Sequence, residues 1–381
     1  MSGTKWVGAW TNGLVTVDKS AFNNQTLRLI ARTTLGGTRL RLRLSNLYGN
    51  QKLVLGAVHV ALRDGASERI VAGSDRAVTF GGASGVAIGP GALVVSDPVD
   101  LEFVALADLA VSIHIPGAVP ESFPITGHGN CHQTNYLSPP GDFTGTVAMP
   151  VQAVTENWYF LSAIEVMVPA DTGGVLCFGD SLTEGNLSSL DSNSRWPDQL
   201  ARRLAARKGR AYAVMNQGIG GNRILHDMRG ESGLRRFDRD CLAQPGVTHV
   251  IAFIGTNDLR NQRGVPTEFV TADQMIAGLK QLALRAQAKG LKIYAATLVP
   301  YENETYFPGA WTPEGEATRQ TINAWIRKGE SFDAVIDFDA AVRDPAHPTS
   351  MLAAYDCGDH LHPSDNGYRH MGDAIDLGLF D

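Results

Sequence analysis

The chain has 381 residues, 44% of them hydrophobic and 19% charged, with a formal net charge of -6 and a pI near 5.9. This is ample apolar material for two ordinary domains or one large one. Mild acidity without a Lys/Arg cluster argues against a nucleic-acid partner, and the absence of an uncharged apolar run of ~18 residues argues against a membrane span. The start, Met1-Ser2-Gly3-Thr4-Lys5-Trp6, carries no apolar signal-peptide core. The expected location is therefore the cytoplasm, or outside the cell after loss of a leader. Four cysteines, Cys131, Cys177, Cys241 and Cys357, contain no CxxC pair and suggest neither a disulfide framework nor a structural zinc site. Cys177 lies in an apolar strand pattern and reads as a buried free thiol.

Up to about residue 170 the pattern is that of β structure. Residues 38–45 place Leu40, Leu42 and Leu44 on one face and Arg39, Arg41 and Arg43 on the other, the period of two of a half-buried strand. Similar runs occur at 27–32, 53–62, 77–80, 92–96, 109–115 and 159–168, separated by Gly, Pro, Asn and Asp. No amphipathic helix stands out, so this half is expected to be an all-β sandwich, jelly-roll-like. After Asp171-Thr172-Gly173-Gly174 short apolar runs alternate with helical patterns. Strands are expected at 175–178, 211–215, 247–254, 291–297 and 334–338. A helix is predicted over 196–208, with Pro197 suited to its first turn. Thr271 and Gln274 match a capping box ahead of a stripe of Ile276, Leu279, Leu282, Ala283 and Ala286. Ser364 is the expected N-cap of a closing helix that carries Tyr368, Met371, Ile375 and Leu379 on one face. Alternating strands and helices indicate a parallel sheet covered on both sides. The expected domains are 1–170 and 171–381.

Four segments carry chemistry. Gly179-Asp180-Ser181-Leu182-Thr183-Glu184-Gly185 follows the first strand of the second half. Ligands of open α/β sheets bind beyond strand carboxyl ends, so Ser181 stands where a nucleophile would, although a serine there also serves as a helix cap. Gly179 would permit a tight turn. Asn216-Gln217-Gly218-Ile219-Gly220-Gly221-Asn222 follows the second strand; its glycines let backbone N–H groups approach a ligand. The segment lacks the lysine of a phosphate loop and is weak as a dinucleotide fingerprint, and turn chemistry is its plain alternative. Gly255-Thr256-Asn257-Asp258 follows the third strand, where a carboxamide can donate to an oxyanion or simply make a turn. Asp356-Cys357-Gly358-Asp359-His360-Leu361-His362-Pro363 precedes the last helix. One turn brings Asp359 to His362, the oriented imidazole a serine nucleophile needs. The rival there is zinc held by His360, His362, Asp356 and Asp359. His128 and His132 read as packing or turn residues.

Together these segments resemble the GDSL/SGNH hydrolase superfamily, named for its Ser, Gly, Asn and His blocks. The resemblance covers about residues 174–375, roughly half the chain. It implies a flavodoxin-like three-layer α/β/α domain with strand order 2-1-3-4-5, and the N-terminal half is similar to the β-sandwich that precedes this domain in one bacterial subgroup. It implies Ser181 as nucleophile, His362 as base, Asp359 as its orienting acid, and an oxyanion hole of Ser181 N–H, Gly221 N–H and the Asn257 amide. Gly221 rather than Gly218 matches the family glycine by its distance from Asn216. Asp180 and Leu182 are expected at the substrate, as are Tyr301 and Trp311 from the long loop at 299–313. That loop also carries Tyr306, Phe307 and Pro308, and its rings could equally join the two halves. The function implied is hydrolysis of carboxylic esters with small acyl groups through an acyl-enzyme. The alternative is a carbohydrate acetylesterase. A binding protein that kept the fold and lost catalysis is the contrasting class, opposed by intact Ser181, Asn257, Asp359 and His362. No cofactor or metal is expected, and the partner is a small-molecule or saccharide ester.

Overall fold

The computed structural model describes residues 3–17, 20–260, 266–307 and 309–381; Met1, Ser2 and Pro308, which enter the sequence reading, lie outside them. The chain divides into two compact units. One is Met1–Thr172 with Leu190–Asn193 and Gly209–Ala213; the other is Gly173–Ser189 with Ser194–Lys208 and Val214–Asp381.

The first unit is built of antiparallel strands. A five-stranded sheet runs Thr4–Thr11, Leu161–Pro169, Gly37–Ser45, Val99–Phe103, with Leu93–Val95 also on Gly37–Ser45. A six-stranded sheet runs Ala153–Thr155, Asn135–Pro140, Phe22–Arg32, Asp108–Val119, Val58–Leu62, Arg76–Val78. Leu40, Leu42 and Leu44 from the first join Leu27, Leu29, Val111 and Ile113 from the second in one hydrophobic cluster. The alternation places them there, and burying each such side chain is worth about 1.5–3 kcal/mol. The arginine face is less wet than the alternation suggests: Arg41 and Arg43 both pair with Glu165, which is buried on the neighbouring strand. The expected strand over 53–62 is two, Leu53–Leu55 and Val58–Leu62, in different sheets. They part at Gly56, where a Cβ would stand 2.8 Å from His114 Nδ1. Likewise 159–168 breaks at Phe160, whose φ of 61° no strand sustains.

In the second unit five strands, β1 (Gly173–Gly179), β2 (Tyr212–Gly218), β3 (His249–Phe253), β4 (Lys292–Ala296) and β5 (Ala334–Ile336), form one sheet in the order β2-β1-β3-β4-β5. The pairs β1/β3, β3/β4 and β4/β5 are parallel. Alternate residues face opposite layers. Leu176, Phe178, Val250 and Ala252 cluster with Met275, Leu279 and Leu282 of the helix Ala272–Gln287 and with Ile322 of the helix Pro313–Lys328. On the other phase the Phe253 ring meets Phe338 at 5.0 Å, and Phe338 meets Trp196, which opens the helix Trp196–Ala206, at 5.3 Å. The capping box closes as read: Thr271 Oγ1 accepts from Gln274 N–H, and Gln274 Oε1 from Thr271 N–H. Ser364 caps the helix Asp365–Ala374, which buries Tyr368 and Met371. Leu379 is not on that helix, because the chain leaves it at Ile375 and makes a separate 3-10 turn over Leu377–Phe380. Among the described residues no helix is long and apolar enough to cross a membrane, and all four cysteines are free.

Candidate active site

In the order β2-β1-β3 the chain goes from β1 to β2 on one side and then returns to β3 on the other, so the segments after these strands leave the sheet side by side at its carboxyl edge, the place where such sheets bind ligands. β1 ends at Gly179, but not because of its φ. A Cβ there would lie 2.5 Å from Phe253 O and 2.0 Å from Thr183 Oγ1, so only glycine lets β1 close on the end of β3. Asp180 then caps the short helix Ser181–Glu184 by accepting the Leu182 N–H at 3.0 Å. Ser181 is the first residue of this helix, where a backbone N–H has no intrahelical acceptor. Gly221, at φ 70°, adopts a backbone that favours glycine. Among the described residues neither the Ser181 nor the Gly221 N–H has a hydrogen-bond partner.

His362 arrives from the other end of the chain. Its Nε2 lies 3.0 Å from Ser181 Oγ and its Nδ1 2.6 Å from Asp359 Oδ2. The second Asp359 oxygen accepts the Leu361 and His362 amides at 2.9 and 2.8 Å and the Cys357 thiol at 3.2 Å. Burial alone would raise the Asp359 carboxyl. The hydrogen bond and charge of His362 and the two amides win, and hold it well below the usual carboxylate range. Burial pushes the Cys357 thiol up to about 12, so it serves here as a donor and not as a thiolate. Asn186 Nδ2 stands 3.4 Å from His362 Nε2. A hydroxyl on an imidazole on a carboxylate can deliver an alkoxide-like nucleophile while storing its proton.

Asn257 sits in the helix Thr256–Leu259 just past β3, and its Nδ2 donates to Asn222 O at 3.1 Å. Asp258 accepts the Ile224 and Leu225 amides at 2.8 and 3.1 Å. Buried Arg236, which the sequence reading missed, donates to Gly179 O, Gln217 O and Asn222 Oδ1 at 2.7, 3.0 and 3.0 Å. The Ser, Gly and Asn segments are thus tied to one another.

The remaining expected site residues fall on the Ser181 helix and on the 299–313 loop. Asp180, Leu182 and Tyr301, expected at the substrate, are buried at 1%, 1% and 0% exposure. Asp180 is spent on its helix cap, Leu182 on the core, and Tyr301 lies under its loop, its hydroxyl without a partner among the described residues. Among the described residues no ring contact or hydrogen bond joins Trp311 to His362 or Ser181. The ring that meets the histidine is Tyr306, edge-on at 5.7 Å and 47% exposed. Composition marked this loop as aromatic but gave no period to say which ring faces the site. The two histidines of His360-Leu361-His362 engage different acids: His360 Nδ1 meets Asp356 Oδ2 at 2.6 Å. Among the described residues the one group of possible metal ligands whose atoms lie within 4.8 Å of one another is Asp356, Cys357 and Asp359, without either histidine.

The model of the GDSL-like lipase/acylhydrolase family matches residues 177–370, just over half the chain. The chain belongs to that family. Solved structures similar to it include a GDSL-like lipase from Bacteroides thetaiotaomicron, 19% identical over 54% of this chain and 87% of that one, with a TM-score of 0.40. Another is a carbohydrate acetylesterase from Sinorhizobium meliloti, 18% identical over 55% of this chain and 100% of that one, with a TM-score of 0.44. No curated protein sequence matches. The family match begins inside β1 and ends in the helix Asp365–Ala374, so it contains all four segments of the site and none of residues 1–172.

Burial also sets the state of the carboxyl beside Ser181. Asp180 is raised from 3.8 to about 7, chiefly by desolvation, against the pull of the Leu182 and Gly255 amides. Between those values the folded chain keeps a proton that the unfolded chain has released, so this group's contribution to stability falls as pH climbs from about 4 to 7. Asp180→Asn removes that titration and keeps a cap acceptor. Its melting temperature relative to the unmodified chain should rise between pH 5 and pH 8, as read by thermal melts. A difference that stays constant over that range would show that Asp180 titrates normally.

Proposed function

We propose that this chain hydrolyses carboxylic esters with small acyl groups through an acyl-enzyme on Ser181. The observation that carries the reading is the unbroken Ser181–His362–Asp359 hydrogen-bond chain, at 3.0 and 2.6 Å. Asp359 accepts Nδ1–H and so leaves the Nε2 lone pair toward the hydroxyl. As Oγ attacks the ester carbonyl carbon, Nε2 takes its proton. The carbonyl oxygen becomes an oxyanion, received by Ser181 N–H, Gly221 N–H and the Asn257 amide, each such donor typically worth ~3–4 kcal/mol of barrier. Collapse breaks the bond to the alcohol oxygen, which leaves with the proton held by His362. Water then attacks the acyl-enzyme by the same route, and the acid is released with Ser181 restored.

A second reading keeps this chemistry and changes the alcohol: an acetylated saccharide. The exposed Tyr306 ring beside His362 favours it, since an amphipathic aromatic face against a reacting centre suits a sugar ring. A screen over acyl chain length and acetylated sugars, with Ser181→Ala as control, separates the two.

Ser181→Ala and His362→Ala should each lower turnover by ~10^4-fold or more, and the double variant should lose little beyond either. Hydrolysis by purified Ser181→Ala at more than a few per cent of the parent rate would overturn the assignment. Dialysis against a strong chelator should leave the rate unchanged; loss restored by zinc would return the Asp356–His360 region to the metal reading.

Tyr306→Ala should alter the ratio of kcat/KM between esters by roughly 10-fold with little change in melting temperature, the range a pocket contact supplies. Trp311→Ala should leave that ratio alone. The reverse pattern would make Trp311 the specificity residue of the loop.

A further inference from the structure

The catalytic reading above uses the Asn257 amide and leaves unexplained the charged pair behind it. Arg260 and Glu304 are 3% and 0% exposed in their side chains and join through Nη2–Oε1 at 2.8 Å and Nε–Oε1 at 3.3 Å. The remaining guanidinium nitrogen, Nη1, donates to Asn257 Oδ1 at 3.0 Å. The other Glu304 oxygen accepts the Tyr306 and Phe307 amides at 2.9 and 3.2 Å. Burying two charges costs desolvation that their attraction often fails to recover, so such a pair is poor evidence of a device for stability.

We propose that Arg260, held in place by Glu304, is a positioning residue that orients and polarises the Asn257 carboxamide as an oxyanion donor. The inference rests on the esterase reading. A guanidinium only donates, so Asn257 must turn its oxygen to Arg260 and its nitrogen away; the Nδ2 bond to Asn222 O is consistent with that choice. A cation on the amide oxygen also draws electron density from the nitrogen, and hydrogen bonds in such a chain strengthen one another. The end of the pair that touches Asn257 is the cationic one, the sign that favours a developing negative charge. Glu304 has a second effect, since the amides it holds fix the backbone under Tyr306, the ring against His362. One buried carboxylate thereby links the oxyanion donor to the wall of the site.

The test is a double-mutant cycle read in kcat and KM on a chromogenic acetate ester, with Arg260→Met, Asn257→Ala and the two combined. Arg260→Met should lower kcat ~10-fold or more with KM within about 2-fold, and Arg260→Lys should recover part of the loss. In the Asn257→Ala background the same Arg260→Met change should cost less than ~2-fold, because its target is gone. An equal loss in both backgrounds would mean that Arg260 acts independently of Asn257 and would overturn the inference while leaving the Ser181 reading intact. Asn257→Ala without a loss of kcat would remove the oxyanion assignment and the inference with it, whereas an active Ser181→Ala would remove the esterase reading itself. If Arg260→Met does not fold because Glu304 is left unpaired, the charge-free pair Arg260→Met/Glu304→Gln is run in the two Asn257 backgrounds, with the same two outcomes.

Discussion

Strand ends are costly places to build a site, because the carbonyls that finish a parallel sheet must be satisfied out of water. Here one buried guanidinium meets that demand. Arg236 donates to the last carbonyl of β1, to Gln217 O in β2 and to the Asn222 side chain, and its Cζ lies 4.1 Å from the Phe178 ring centre. Asn222 in turn offers its carbonyl to Asn257. The three loops that carry Ser181, Gly221 and Asn257 therefore share one rigid anchor, and their relative positions follow from it and from the closeness of β1 and β3 that Gly179 allows.

The same device recurs around the edge of the sheet. Arg223 pairs with Glu268 and Arg319 with Glu316 and Asp339, each guanidinium buried. Arginine suits this use: its planar fork carries several donors in fixed directions and stays charged when desolvated. Arg319 shows the consequence. Burial would lower it, yet hydrogen bonds and charge from Glu316 and Asp339 raise it. Loops outside regular structure lack a ladder of backbone bonds, and in this unit buried arginines supply the order that a ladder would give.

That difference also explains what could be read in the sequence. The strands and helices were legible where burial on one or both faces leaves a period in the residues themselves, as in the antiparallel strand at 38–45 or in Leu279, Leu282, Ala283 and Ala286; Ile276 of that stripe is only partly buried, and Met275 beside it takes the core place. Breaks at Gly56 and Phe160 were not, because they answer to a neighbouring histidine and to a backbone twist that no local pattern records. In the candidate site, Ser181, Gly221, Asn257, Asp359 and His362 each follow or precede a legible element, and the structure brings Ser181, His362 and Asp359 into hydrogen-bond contact. Arg236, Arg260 and Glu304 escaped because the bonds that bury them are long-range: Arg236 reaches Gly179 O across 57 positions, and Arg260 and Glu304 are 44 apart. Tyr301 and Tyr306 were indistinguishable by type, and only the path of the loop decides which ring is buried.

The geometry of the candidate triad divides into one local problem and one distant one. Asp359 and His362 lie within a single turn, and the Asp359 carboxylate that meets the imidazole also accepts the amides of that turn. This half holds itself. Ser181 lies 181 positions from His362, so the fold must fix a long-range spacing. It does so with bonds just outside the reacting atoms. The Tyr368 hydroxyl, on the helix after His362, donates to Asn186 O in the loop after Ser181 at 2.8 Å. Asp365, from the first turn of that helix, accepts Ser189 N–H at 2.8 Å and Ser194 Oγ–H at 2.6 Å. These bonds staple the loop that follows Ser181 to the helix that follows His362. The Ser181–His362 spacing is thus set by the helix after His362 and its cap, and not by the reach of either side chain, which is the condition for a hydroxyl and an imidazole to be held at 3.0 Å.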